Sequence, residues 1–245
     1  MAVLYLDYMS QPSRAVALFC RFNGLAVREQ ELALAKAQHR TPEMLQLNPV
    51  GKVPFLKDGE QVIIESATIL RYLATSRQEQ VPDHWYPADL KARAVVDAAL
   101  DWYQSNIRPG AAKLFWHRMI APEDPNSQLL AQQALTTLQN SFRLMSSYWL
   151  KDSTFAAGKT ISLADLLWIC ELEQLQTLQG AQQSETLEEL VRPFPAVQQW
   201  MQEVKQTIGP EYEAVNQKLL KTADRFVARK QRRQKQQQGA ASSKL

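Results

Sequence analysis

The 245-residue chain has only two cysteines, three histidines and no long apolar segment. Cys20 and Cys170 lie far apart and without metal-ligand spacing, which excludes a disulfide scaffold and argues against a structural zinc site. No apolar run approaches the ~20 residues that cross a bilayer. Residues 1–10 also lack the pattern of a secretory signal. We therefore expect a soluble, non-secreted protein in a reducing compartment, with no bound metal and no membrane partner.

Net positive charge is concentrated at the end of the chain, whereas acidic residues outnumber basic ones in the rest. The net charge is +3. From Lys218 to Leu245, nine basic residues stand against one acidic residue, so this segment carries +8 and the rest of the chain −5. Because the body is mildly acidic, the charge distribution argues against nucleic acid as its partner.

Hydropathy patterns divide the chain near residue 80. Short apolar or alternating runs predict strands, and periodic patterns between them predict helices. The predicted strands are residues 2–8, 27–33, 53–57 and 61–64, and the predicted helices are residues 13–23, 42–47 and 65–76. The first two strands are spaced as a parallel pair, whereas Asp58-Gly59 predicts an antiparallel hairpin. We expect a mixed four-stranded sheet with helices on its faces, an α/β domain over residues 1–80.

Beyond residue 88 the strand signal gives way to helical periodicity. The predicted helices are residues 89–115, 126–150, 163–178, 195–208 and 210 to about 233. We expect a linker over residues 81–87, an all-α domain over 88–228, and a basic flexible tail over 229–245. Ser162 and Asp165 resemble a capping box, which predicts a role in folding and stability.

Three segments of the α/β part carry candidate functional residues. Ser10-Gln11-Pro12 precedes the first long helix, where proline fits the first turn and a hydroxyl can donate to an anion. Val53-Pro54 stands at the entrance of a strand, where a cis bond exposes the backbone of the preceding residue to a ligand. Glu65-Ser66 begins another helix, whose unpaired N–H groups suit a carboxylate. Together they predict a site for an extended, peptide-like anion.

Each of these segments also has an ordinary structural explanation. Ser10 and Glu65-Ser66 fit plain helix caps, and Pro54 fits a strand-edge proline. His39, in a polar loop, fits an exposed histidine. Ser13, three residues after Ser10, is a rival for its role. The joint occurrence of these features within 80 residues, in the order of a thioredoxin-type layer, favours the binding site.

The chain resembles the theta-class glutathione transferases over residues 1 to about 225. The motifs that carry this resemblance are Tyr5-Leu6-Asp7 with Ser10-Gln11-Pro12-Ser13-Arg14, Asn48-Pro49-Val50-Gly51-Lys52-Val53-Pro54, Glu65-Ser66, Val81-Pro82-Asp83-His84-Trp85-Tyr86-Pro87, and Leu114-Phe115-Trp116-His117. The resemblance implies a thioredoxin-like N-terminal domain, an all-helical C-terminal domain that holds a hydrophobic substrate, and a homodimer.

The resemblance also implies roles for individual residues. Ser10 is the catalytic hydroxyl that stabilises the thiolate of glutathione, the co-substrate. The residues assigned to glutathione binding are Gln11, His39, Arg40, Lys52, Val53, Pro54, Glu65 and Ser66. Arg108 faces the active site from the helical domain. Independently of the resemblance, we expect apolar and aromatic residues of that domain to hold the second substrate, with Trp102, Trp116 and the last helix as candidates. The ordinary explanation of most of these aromatic residues is a place in the core. Pro109-Gly110 directly after Arg108 predicts a kink, which leaves the direction of Arg108 open.

A serine at position 10 also separates two classes of reaction. A cysteine would form mixed disulfides, whereas a hydroxyl can only stabilise a bound thiolate. The expected reactions are therefore conjugation of glutathione to hydrophobic electrophiles and reduction of organic hydroperoxides. The alternative is a non-catalytic glutathione-fold protein that serves as a binding or assembly module.

The last three residues, Ser243, Lys244 and Leu245, match the peroxisomal import tripeptide. We expect recognition by the peroxisomal import receptor and a peroxisomal location, with the cytosol or nucleus as further locations. Nuclear localisation and nucleic-acid contact are the rival explanations for the basic run 229–238.

Overall fold

The computed structural model describes residues 1–181 and 185–242. The N-terminal domain consists of β1 (Ala2–Leu6), α1 (Gln11–Phe22), β2 (Val27–Glu31), α2 (Pro42–Leu47), β3 (Phe55–Asp58), β4 (Gln61–Ile64) and α3 (Ser66–Ser76). The sheet order is β2-β1-β3-β4. Strand β1 is parallel to β2 and antiparallel to β3, and β3 is antiparallel to β4. These pairings confirm the predicted mixed sheet. The short turn between β3 and β4 contains Gly59, which has φ of 59°.

The C-terminal domain is helical. Its helices are α4 (Leu90–Ser105), α5 (Ile107–Phe115), α6 (Ser127–Leu144), α7 (Leu163–Glu173), α8 (Leu187–Val191), α9 (Pro195–Ile208) and α10 (Pro210–Ser242). Wide π-helical turns follow α5 and α6, and a tight 3-10 turn follows α7. Every residue of α7 is buried, including the acidic residues Asp165, Glu171 and Glu173, so the helix has no solvent-facing side. The predicted combination of an α/β domain with an all-α domain is confirmed.

The break in the first long helical segment lies at Asn106 and not at Pro109-Gly110. Asn106 leaves the helical region with φ of −124° and ψ of −71°. Pro109 falls in the first turn of α5, where the missing N–H needs no intrahelical acceptor. The predicted position of the kink is therefore wrong, although a kink is present.

Helix α10 continues to Ser242, beyond residue 229, where composition predicts a flexible tail. The segment is rich in glutamine, lysine and arginine, all of which favour a helix, and contains no proline. The import tripeptide, Ser243 to Leu245, lies outside the described residues. Within the described ranges, no helix is both long enough and apolar enough to span a bilayer.

Arg14 of α1 joins the two domains. Its side chain is fully buried. Its guanidinium donates to the carbonyl of Tyr8 (2.9 Å) and, across the domain boundary, to the carbonyl of Cys170 (2.9 Å) and the amide oxygen of Gln174 (3.1 Å). Buried hydrogen bonds to a charged group are strong and directional. The N-terminus of α1 is therefore fixed against α7 and the turn that follows it.

Candidate functional site

Segments that are distant in the sequence meet at one end of the sheet. Strand β1 ends at Leu6, and Tyr5 lies opposite Phe55, the first residue of β3. Phe55 in turn lies opposite Ile64, the last residue of β4. The N–H of Leu32, just after β2, donates to the carbonyl of Leu6 (2.7 Å). The predicted site residues that flank these strand ends are Ser10, Gln11, His39, Arg40, Lys52, Val53, Pro54, Glu65 and Ser66.

Ser10 is the N-cap of α1. Its backbone is extended (φ −87°, ψ 123°), its N–H donates to the carbonyl of Asp7 (2.8 Å), and its carbonyl accepts from the N–H of Arg14 (3.1 Å). Its side chain makes no capping hydrogen bond to any residue that the structure describes. In a plain N-cap, the serine hydroxyl would accept a hydrogen bond from a backbone N–H of the first helical turn. The hydroxyl therefore remains available to a ligand at the positive end of the α1 dipole.

Two neighbouring hydroxyls do not compete for this position. Ser13 is fully buried, and its hydroxyl has no hydrogen-bond partner in the described part of the chain. The Tyr8 hydroxyl donates to the carboxylate of Glu29 and accepts from Arg21 (2.5 Å). Burial, followed by the hydrogen bond to Glu29, raises the pKa of Tyr8. Ser10 is therefore better placed than either of them to contact a ligand.

The loop before β3 is organised by Asn48, which is buried. Its side-chain amide donates to the carbonyl of Lys52 (2.9 Å), its side-chain oxygen accepts from the N–H of Val50 (3.1 Å), and its carbonyl accepts from the N–H of Gly51 (3.0 Å). The Val53–Pro54 bond is cis. Val53 precedes the residues of β3 that pair with β1, so its backbone groups lie outside that pairing, at the edge of the candidate site.

The turn Gln38–Arg40 lies against this loop. The side-chain oxygen of Gln38 accepts from the N–H of Ala33 (2.8 Å), which holds the turn. The Cγ of Arg40 lies 3.6 Å from the position that a Cβ would take at Gly51. His39 is half-buried and Arg40 is exposed. Burial and the charge of Arg40 lower the pKa of His39, so its imidazole is neutral at pH 7.

Glu65 occupies a strained position at the start of α3. It has φ of 65°, in the left-handed region that non-glycine residues rarely adopt. Its exposed side chain makes no capping hydrogen bond within the described residues. Ser66, which follows it, is buried. Since strained backbone is concentrated at binding sites, this geometry favours a ligand contact over a plain helix cap.

Glu171 is a buried residue beside the candidate site that the sequence analysis missed. It is fully buried on α7 and accepts hydrogen bonds from Tyr103 (2.6 Å), Arg108 (2.7 Å) and Gln11 (3.3 Å). Burial raises its pKa, and the charge of Arg108 opposes that rise. The sequence signal was an acidic residue in a mostly apolar helical segment, because a buried carboxylate requires a partner. Arg108 therefore points toward Glu171, whose other carboxylate oxygen accepts from Gln11, the residue after Ser10. This contact gives the direction of Arg108 that the sequence left open.

The tryptophans differ in their roles. Trp102 is partly buried and packs against Trp149 and Trp168, with ring centroids 5.5 Å and 5.1 Å apart, so part of its ring contributes to the core. Trp116 is 53% exposed on the turn that follows α5. It remains a candidate for contact with a substrate.

The cysteines of the chain are not suited to thiolate chemistry. Cys20 and Cys170 are both buried. Burial raises the pKa of each thiol to about 12. Any reactive sulfur at the site must therefore come from a ligand.

Two domain families match the chain. Residues 4–80 match the glutathione S-transferase N-terminal domain, and residues 107–207 match the glutathione S-transferase C-terminal domain. Glutathione S-transferase theta-1 of Homo sapiens is 36% identical over 230 residues, which is 90% of each chain. The crystal structure of human glutathione transferase theta-2 in complex with glutathione and an unknown ligand superposes with a TM-score of 0.82 at 32% identity, covering 94% of this chain and 91% of that one.

A further relative is longer than this chain. Glutathione S-transferase T2 of Arabidopsis thaliana is 38% identical over 245 residues, covering 98% of this chain. The chain spans only 39% of the length of that relative.

Proposed function

The chain belongs to the theta class of the glutathione S-transferase family, and from this premise we propose that it conjugates reduced glutathione to hydrophobic electrophiles and reduces organic hydroperoxides. Ser10 stabilises the glutathione thiolate in both reactions. The observation that carries this proposal is the Ser10 hydroxyl, which stands at the N-terminus of α1 without serving as its cap.

The surrounding residues bind the tripeptide around that sulfur. Val53 offers its backbone to the cysteinyl part, ahead of the cis bond to Pro54. Glu65 and Ser66 hold the γ-glutamyl end, and the N–H groups of α3 face its carboxylate. His39 and Arg40 contact the glycine end. Gln11 and Lys52 lie beside the peptide.

Stabilising the thiolate accounts for only part of the rate. A thiol of pKa ~8.5 is ~3% ionised at pH 7, and lowering its pKa by about two units raises that to ~75%. The accompanying loss of nucleophilicity is about eightfold, which leaves a net gain of about threefold. Holding the sulfur and the electrophile in a reactive geometry lowers the activation barrier further, by up to ~7–11 kcal/mol. The helical domain therefore positions the second substrate, with Arg108 and Trp116 as its contacts.

Replacing Ser10 tests the serine mechanism. We expect Ser10→Ala to lower kcat/KM for a small electrophile at pH 7 by more than about tenfold, because thiolate population and sulfur orientation both suffer. The dissociation constant for glutathione should change by less than about threefold, since the peptide contacts remain. Ser13→Ala is the matched control, since its hydroxyl is buried without a described partner. Unchanged turnover in Ser10→Ala assigns the role elsewhere.

The same assays separate the enzyme from the binding module. A panel of electrophiles together with cumene hydroperoxide measures both proposed reactions on the wild-type chain. Turnover of either class supports the enzyme. Tight glutathione binding without turnover of any of these substrates supports a binding or assembly module instead.

We also propose that the protein is imported into peroxisomes through Ser243-Lys244-Leu245. Support comes from the match of this tripeptide to the import signal and from the peroxide chemistry, which suits that compartment. The test is the location of an N-terminally tagged chain with and without Leu245. Punctate peroxisomal fluorescence that becomes diffuse on removal of Leu245 is expected. Nuclear accumulation, or a diffuse signal from both chains, overturns the import proposal.

The proposed assembly is a homodimer. Leu90 and Val95 on α4 are 77% and 44% exposed, and a second copy would cover such apolar surface. Light scattering coupled to size-exclusion chromatography should give twice the mass of the 27.9 kDa chain. A mass of one chain at micromolar concentration contradicts this assembly.

A further inference from the structure

Asp7 builds the turn that carries Ser10. Its carbonyl accepts from the N–H of Ser10 (2.8 Å), and its carboxylate accepts from the N–H of Met9 (2.9 Å). The second carboxylate oxygen accepts from the N–H of Leu34 (2.9 Å), in the segment that leads to His39. Asp7 therefore connects two walls of the proposed glutathione site.

The carboxylate of Asp7 is only 4% exposed, and its cationic partner comes from the far end of the chain. The ammonium group of Lys218, on α10, lies 2.9 Å from it and also contacts Glu31 at the end of β2. Burial alone would raise the pKa of Asp7, but the hydrogen bonds from Lys218, Met9 and Leu34 outweigh it and lower that pKa. Asp7 is therefore ionised at neutral pH beside the Ser10 turn.

An ionised carboxylate at this position opposes the formation of a second anion nearby. The proposed thiolate is such an anion, because it must reach the Ser10 hydroxyl. Lys218 of α10 contacts Asp7 directly and also pairs with Glu31 of β2, and His39 of the turn Gln38–Arg40 interacts with the charge of Asp7. Since His39 is neutral at pH 7, Lys218 is the cation of this group that offsets Asp7.

We propose that Lys218 is a positioning residue for catalysis: by pairing with Asp7 it holds the Ser10 turn and cancels a buried negative charge that would otherwise destabilise the glutathione thiolate. This inference rests on the proposed function, because it concerns the thiolate of that site. It assigns α10 an electrostatic role in addition to its packing.

The test is the pKa of glutathione bound to the full-length protein, followed by thiolate ultraviolet absorbance and by the pH profile of kcat/KM. In Lys218→Met we expect this pKa to rise by roughly 0.5–1 unit, because Asp7 is left without its counter-charge. At pH values below the new pKa, kcat/KM should be lower than in the wild-type protein, and it should recover at higher pH. Lys218→Arg should restore the wild-type profile, since it keeps the charge.

Two further variants separate charge from structure. Lys218→Gln keeps a donor toward Asp7 without the charge, so it should also raise the pKa, and it replaces Lys218→Met if that variant does not fold. Lys221→Met removes an exposed charge from the same helix and should leave the profile unchanged.

The outcomes also separate this inference from the proposed function. If wild-type protein does not lower the thiol pKa of glutathione, the serine-stabilised thiolate is wrong. If wild-type protein lowers it and the Met and Gln variants at position 218 do the same, the role of Lys218 is overturned.

Discussion

Asp165 is a single buried carboxylate that satisfies several donors at once. It accepts from the N–H of Ala156 (2.8 Å), the N–H of Ser162 (2.9 Å) and the indole N–H of Trp200 (2.8 Å). The Ser-x-x-Asp pattern predicted the contact with Ser162, because a capping box is local. The contact with Ala156 depends on the path of the loop before α7, and the contact with Trp200 depends on how α9 packs against α7, so neither could be predicted from a local pattern.

Replacing Asp165 should destabilise the protein strongly. Asp165→Ala leaves these buried donors without an acceptor, and we expect the free energy of unfolding to fall by about 3–5 kcal/mol. Urea denaturation measures this change. Thr186→Ala, which removes the cap of the short helix α8, is the control and should cost about 1 kcal/mol. A loss at Asp165 no larger than the control would show that these bonds contribute little.

At the scale of elements, the sequence predicted the sheet better than the helix contacts. Strand alternation and Asp58-Gly59 are local signals, so the strands and their directions could be predicted, whereas the order β2-β1-β3-β4 was not. The convergence of Ser10, Pro54 and Glu65 follows from strand direction together with the adjacency of β1, β3 and β4 in the sheet. The pairing of Asp7 with Lys218 spans 211 residues, and the pattern of α10 carries no sign of it.

Helix α5 packs unusually close to α6 at Gly110. A Cβ at this position would lie 2.7 Å from the backbone nitrogen of Leu138. Gly110→Ala in an exposed helix would stabilise by about 1 kcal/mol through propensity. Here we expect destabilisation by about 1–3 kcal/mol, because the two helices must separate. Urea denaturation measures the change in the free energy of unfolding, and its sign shows whether the helix propensity or the steric clash dominates. Stabilisation would contradict the close contact.

At the scale of the whole molecule, buried contacts join the two domains beside the candidate site. Arg14 reaches across the boundary to Cys170 and Gln174, and Glu171 contacts Gln11. The residues of the linker also pack, since Trp85 is fully buried and meets Phe19 edge-to-face at 5.5 Å. The sequence predicted two domains and a linker, but buried contacts between domains leave no local pattern.

We expect the two domains to unfold together because these contacts couple them. Tryptophan fluorescence, far-ultraviolet circular dichroism and glutathione binding should be lost at the same urea concentration. Separate transitions, with the sheet domain unfolding apart from the helices, would show that the interface contributes little to stability.

The most direct test of the serine mechanism is a crystal structure with glutathione bound. The quantity to measure is the distance from the glutathione sulfur to the Oγ of Ser10. Our account predicts a value within about 3.5 Å, with the sulfur at the N-terminus of α1. A sulfur beyond hydrogen-bonding range of that oxygen, or held by another side chain, would contradict it.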